Sequence, residues 1–103
     1  MAAPYNPPVR GEDFILNIAL EDIANPGHFK VDPTIAAGDF QISKDNGALA
    51  NLTTLPTVSP AGSTQVQITL TVAEMTADNV FIQGIDQAGD EWADFVLSIP
   101  TTA

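Results

Sequence analysis

Hydrophobic and polar positions alternate most strictly between Gln65 and Thr71, where Val66, Ile68, Leu70 and Val72 are interleaved with Gln65, Gln67, Thr69 and Thr71. A period of two is the mark of a strand with one face buried and one face in water. The pattern then breaks at Thr71-Val72-Ala73-Glu74. A Thr followed three residues later by Glu is a capping box, with Leu70 and Met75 placed as its hydrophobic staple. One short helical turn is therefore expected near residues 72–77. Val80-Phe81-Ile82 opens the next strand.

The same alternation recurs along the chain. Phe14, Leu16, Ile18 and Leu20 face one way, with Asn17 and Ala19 opposite. Phe40 and Ile42 alternate inward, and Asp45-Asn46-Gly47 follows as a hairpin signal, since Asn-Gly suits a type I′ turn. Ala48–Leu52 reads as the return limb, and His28–Val31 as a short edge strand between the Asn25-Pro26-Gly27 turn and Asp32-Pro33. Thr57–Ser59 is a short extended piece between prolines. The last strand is read from Glu91 to Ile99, with Ala93, Phe95, Leu97 and Ile99 on one face and Trp92, Asp94, Val96 and Ser98 on the other. About seven short strands with turn residues between them predict a single Ig-like antiparallel β-sandwich over residues 14–103. Its expected core is Phe14, Leu16, Ile18, Phe40, Ile42, Val66, Ile68, Leu70, Met75, Val80, Ile82, Phe95 and Leu97. Residues 1–13, with three prolines and no periodicity, form an extended N-terminal arm. The arm is either a loose terminus or an anchor lying along another subunit, in which case Tyr5, Pro7, Pro8 and Arg10 are its contact residues.

The length of 103 residues suits one domain, and the opening Met1 reads as the start of a complete small gene product. Thirteen acids stand against three bases, Arg10, Lys30 and Lys44, for a net charge of −10. Without a Lys/Arg cluster, nucleic-acid and anionic-membrane binding are not expected. A basic docking partner is compatible with the charge. There is no Cys, which removes disulfides, zinc–thiolate sites and thiol nucleophiles. No apolar run is long enough to span a bilayer, and no secretory leader is visible.

Candidate chemistry is sparse. His28 is the only histidine and has no Ser or second His at catalytic spacing. The acids sit at turns and strand ends, where carboxylates bond to backbone, not as a converging pair. Asp86, Asp90, Glu91 and Asp94 gather around one turn and allow a structural Ca²⁺ site near Asp86 and Asp90, although their spacing is not that of an EF-hand. Otherwise no cofactor is expected. Trp92 either fills a second core layer or stands exposed as an anchor for a partner or sugar ring. Asn51-Leu52-Thr53 matches a glycosylation acceptor and is read as a chance match.

The order of several segments resembles small Ig-like virion structural proteins of tailed bacteriophages. These segments are Asp32–Asp39 running into Phe40–Ala48, Ala50–Thr53, Leu55-Pro56, Ser59–Gly62, Leu70-Thr71, Ala73–Met75, Ala77–Val80 and Asp86–Trp92. The resemblance covers about residues 14–99. It implies a non-enzymatic protein of the virion, a capsid decoration (cement) protein or the base of a head fibre. Such a protein would dock on the major capsid protein or other virion proteins through arm and sheet edges, and would form a homo-oligomer. The alternative is a tail or baseplate protein, or an adhesin module binding host-surface carbohydrate.

Overall fold

The computed structural model describes residues 7–87 and 89–102. Seven strands form: β1 (Phe14–Ala19), β2 (Phe40–Lys44), β3 (Ala50–Asn51), β4 (Thr57–Val58), β5 (Gln65–Leu70), β6 (Asn79–Gly84) and β7 (Phe95–Pro100). They pair antiparallel into two sheets, ordered β1-β5-β4 and β3-β2-β6-β7. Labelled as strands B to G of an immunoglobulin domain, with β3 as C′, these orders are B-E-D and C′-C-F-G. The predicted Ig-like sandwich is the fold.

The alternating residues decide which faces meet. Val66, Ile68 and Leu70 of β5, Val80 and Ile82 of β6, and Phe40 and Ile42 of β2 are buried between the sheets with Met75. Phe14, Leu16, Ile18, Phe95 and Leu97 pack against this core but stay partly exposed, because β1 and β7 are edge strands. Leu20, Ala77, Trp92 and Ile99 join the buried set beyond the residues expected there. At one end Phe40, Trp92 and Phe95 pack ring against ring, with centroids 5.1–6.1 Å apart, in the edge-to-face and tilted geometries that aromatic quadrupoles favour. The Phe95 ring lies over Gly84 so closely that a Cβ there would overlap it. A glycine at the end of a central strand is explained by that approach.

The capping box forms as the sequence predicts. Thr71 N–H donates to Glu74 Oε1 (2.9 Å) and Glu74 N–H to Thr71 Oγ1 (3.3 Å). A bond from Met75 N–H to the Thr71 carbonyl (3.0 Å) closes the turn. The helical geometry is confined to this one turn, because the chain must enter β6 at Asn79. Leu70 and Met75, on either side of the cap, are both fully buried.

Three expectations shift. The hairpin after β2 turns one residue early: Gly47 N–H bonds the Lys44 carbonyl (2.9 Å), and the positive φ values fall on Asp45 (49°) and Asn46 (64°). Asp45 is fixed there because its carboxylate accepts from the N–H groups of Asp78 and Asn79. The last strand begins at Phe95, not Glu91. Asp90 has a φ of 49°, and residues 91–93 leave β6 to pair with residues 21–23 around an Asp22–Trp92 bridge. That detour breaks the simple alternation and puts Trp92 in the core beside Phe95. The edge strand expected at His28–Val31 is reduced to one bridge, Glu21–Phe29.

Candidate docking surface

From Phe14 to Ile23 even positions are buried or half-buried and odd positions are exposed, without a break. The strand thus continues past β1, carrying Ile15, Asn17, Ala19, Glu21 and Ile23 on one outer face. Phe29 pairs beside Glu21, and Lys30 N–H bonds the Leu20 carbonyl (2.7 Å), which brings Val31 alongside. Ile15, Ile23, Phe29 and Val31 are 46–61% exposed. Large apolar side chains scattered singly are ordinary, but several on one sheet face suit a contact surface. The alternation was legible in the sequence. That no other described segment covers the odd face was not.

The acids mostly hold the backbone. Glu21, Asp22, Asp32, Asp39, Asp45, Glu74, Asp86 and Glu91, eight of the thirteen, each accept from at least one backbone N–H. Asp39 is buried and joins Ala36 N–H (2.9 Å) to Gln87 N–H (3.2 Å). Glu74, also buried, holds its own cap through Oε1 and Thr53 N–H (3.0 Å) through Oε2. Asp86 takes Gly89 N–H and Glu91 N–H on its two oxygens. With three bases in the chain, carboxylates satisfy loop amides that a buried turn would otherwise leave unpaired. Among the described residues no three His, Asp or Glu side chains converge as metal ligands do. Asp86 and Asp90, the pair considered for calcium, differ in setting: Asp86 is buried and bonded to its own turn, while Asp90 is exposed. His28 is exposed in the hairpin.

The structure separates the residues expected to bind a partner. Trp92 is 1% exposed, and its Nε1–H donates to the Thr34 carbonyl (3.2 Å). The expectation of Trp92 as a partner-binding anchor is corrected: the detour through residues 91–93 turns its ring inward, where neither a partner nor a sugar ring reaches it. Tyr5 lies outside the described residues. Pro7 and Pro8 are half-buried against the domain. Arg10 N–H bonds the Thr102 carbonyl and Thr102 N–H the Pro8 carbonyl, a parallel bridge that lays residues 8–10 beside the chain end. The Arg10 side chain pairs with Asp78 (Nε–Oδ1 3.4 Å). The described part of the arm is therefore bound to its own domain.

The two sides of the sandwich differ. On one, the edges are β3 and β4, two residues each, and the chain between them crosses from sheet to sheet. On the other, the edges are β1 and β7, six residues each, and no Cα of one comes within 8 Å of the other. The surface of the described residues includes two hollows. One is lined by Ala36, Phe40, Leu52, Thr53, Leu55 and Pro56 near the crossing, and the other by Gln83, Ile85, Asp94, Phe95 and Val96 beside β7. Comparison with known protein families, curated proteins and solved structures finds no match to this chain.

Proposed function

We propose that this protein is non-enzymatic and works by docking, as a structural component of a tailed-phage virion, either a capsid decoration protein or the base of a head fibre. The observation that carries the docking role is the exposed apolar face of Ile15, Ile23, Phe29 and Val31 on one outer strand and its hairpin. The virion assignment comes from the sequence resemblance. Two further features support docking over chemistry. Most carboxylates are engaged with backbone amides, and so are poorly placed to shuttle protons. The long β1 and β7 edges offer unpaired backbone groups to another chain. Repeated attachment to a lattice makes modest single contacts sufficient through avidity. The test is the copy number of the protein in purified particles. Stoichiometry comparable with the major capsid protein means decoration, a small fraction of it means a vertex, fibre or tail part, and absence from particles overturns the proposal.

A further inference from the structure

The edge of β7 has a definite hydrogen-bonding parity. Thr101 N–H bonds the Asp78 carbonyl (3.0 Å), continuing the β6–β7 ladder, whereas Thr102 N–H and C=O bond the arm on the opposite side. Because antiparallel pairs alternate, Phe95, Leu97 and Ile99 turn their backbone groups to β6, and Val96 and Ser98 turn theirs outward. Pro100, the next outward residue, has no N–H to offer. The outward groups of Val96 and Ser98 have no partner strand among the described residues. The window is bounded at both ends, by residues 8–10 beside Thr102 and by residues 21–23 beside Trp92.

The side chains around this window specify what would fit. Val96, 63% exposed, borders the hollow formed with Gln83, Ile85, Phe95 and exposed Asp94. None of the three bases, Arg10, Lys30 and Lys44, lines this hollow. The hollow thus joins an apolar floor to one exposed carboxylate, complementary to a cation beside an apolar side chain.

We propose that the β7 edge takes a strand from another protein: an extended basic segment whose backbone bonds Val96 and Ser98, whose apolar side chain enters the hollow, and whose Lys or Arg meets Asp94. This is β-strand addition, in which backbone bonds give affinity and alternate side chains give specificity. The chain's own first residues match it poorly as a sequence. In the register set by Val9 and Thr102, Val96 and Ser98 would call on residues 2, 4 and 6, and Pro4 has no N–H to give the Val96 carbonyl. The inference rests on the docking role proposed above and names its partner's chemistry. It is tested apart from particle stoichiometry, so either can fail alone.

The experiment follows amide exchange at Val96 and Ser98 by NMR in the full chain. The probes are an acetylated peptide of about six residues, Lys-Val-Thr-Leu-Thr-Val, a length matched to the edge, and its counterpart with Glu for Lys. Both amides should exchange rapidly in the free protein and slow at least tenfold with the Lys peptide, with little change from the Glu peptide. Ser98→Pro, which removes an outward donor along with the Ser98 hydroxyl's bond to Asn79 Oδ1 (3.1 Å), should abolish the slowing at Val96. Asp94→Asn should weaken Lys-peptide binding, and it keeps the test valid if the proline variant does not fold. Equal effects of the two peptides, or none, would overturn the proposal. So would protection already present in the free chain, whether lost on deleting residues 1–6 (the chain's own segment) or on dilution (a second copy).

Discussion

The two sides of this sandwich solve the same problem differently. On the β3/β4 side the edges are two residues long, and the crossing chain covers them: Leu52 packs on the core, Pro56 is buried, and Glu74 reaches out to hold Thr53 N–H. On the β1/β7 side both edges run six residues and, among the described residues, are secured at their ends alone, by Trp92 with Asp22 at one and by residues 8–10 with Thr102 at the other. Short, covered edges are how sheets avoid unwanted pairing, and long uncovered ones invite it. The difference separates a side built for closure from a side available for contact.

The largest effect is expected at the aromatic end of the open side. Trp92→Ala should cost about 3–5 kcal/mol, the usual range for removing a buried Trp, read as the midpoint of urea unfolding; a loss near zero would mean that Trp92 does not hold the end. Gly84→Ala follows, at about 1–3 kcal/mol, since the new methyl must displace the Phe95 ring, and it should also change near-UV circular dichroism. On the closed side, Glu74→Ala leaves the N–H groups of Thr71 and Thr53 without their acceptor and should cost about 2 kcal/mol. Faster hydrogen exchange at Thr53 would localise that loss to the crossing. If Glu74→Ala proved costlier than Trp92→Ala, polar closure would outweigh the rings and the comparison would reverse. Arg10→Ala should cost less than about 1 kcal/mol, because its ion pair with Asp78 is exposed. The smallest effect is expected from millimolar calcium, which should leave the thermal midpoint unchanged, since Asp86 would have to release two backbone bonds to bind it.

Much of this was legible from local pattern. Period-two alternation placed β1, β2, β5 and β6 and their buried faces, and the Thr71/Glu74 spacing gave the cap, because both depend on residues a few positions apart. Pro100, expected to stop the last strand after Ile99, instead closes β7 as its last residue, at an edge where a missing ladder donor is tolerated. Strict alternation read back from Phe95 sets Trp92 on the opposite face, but the parity breaks at residues 93–94, where the chain leaves its pairing with residues 21–23 to enter β7, so the Trp92 ring fills the core, one of the two places open to it. The Asp45-Asn46 turn shifted for a similar reason, an Asp45 carboxylate held by amides more than thirty residues away.

The sequence by itself determined the class of object: an acidic all-β sandwich with a capped turn between β5 and β6 and a core drawn from alternating positions. It could do so because strand faces and caps are set by neighbours along the chain. Only the tertiary structure decided that the described part of the arm lies on its own domain, that Trp92 closes an end, and that no other described segment covers the β7 edge or the Ile15–Ile23 face. Each of those depends on which distant segment arrives beside which edge, and no local pattern contains that information.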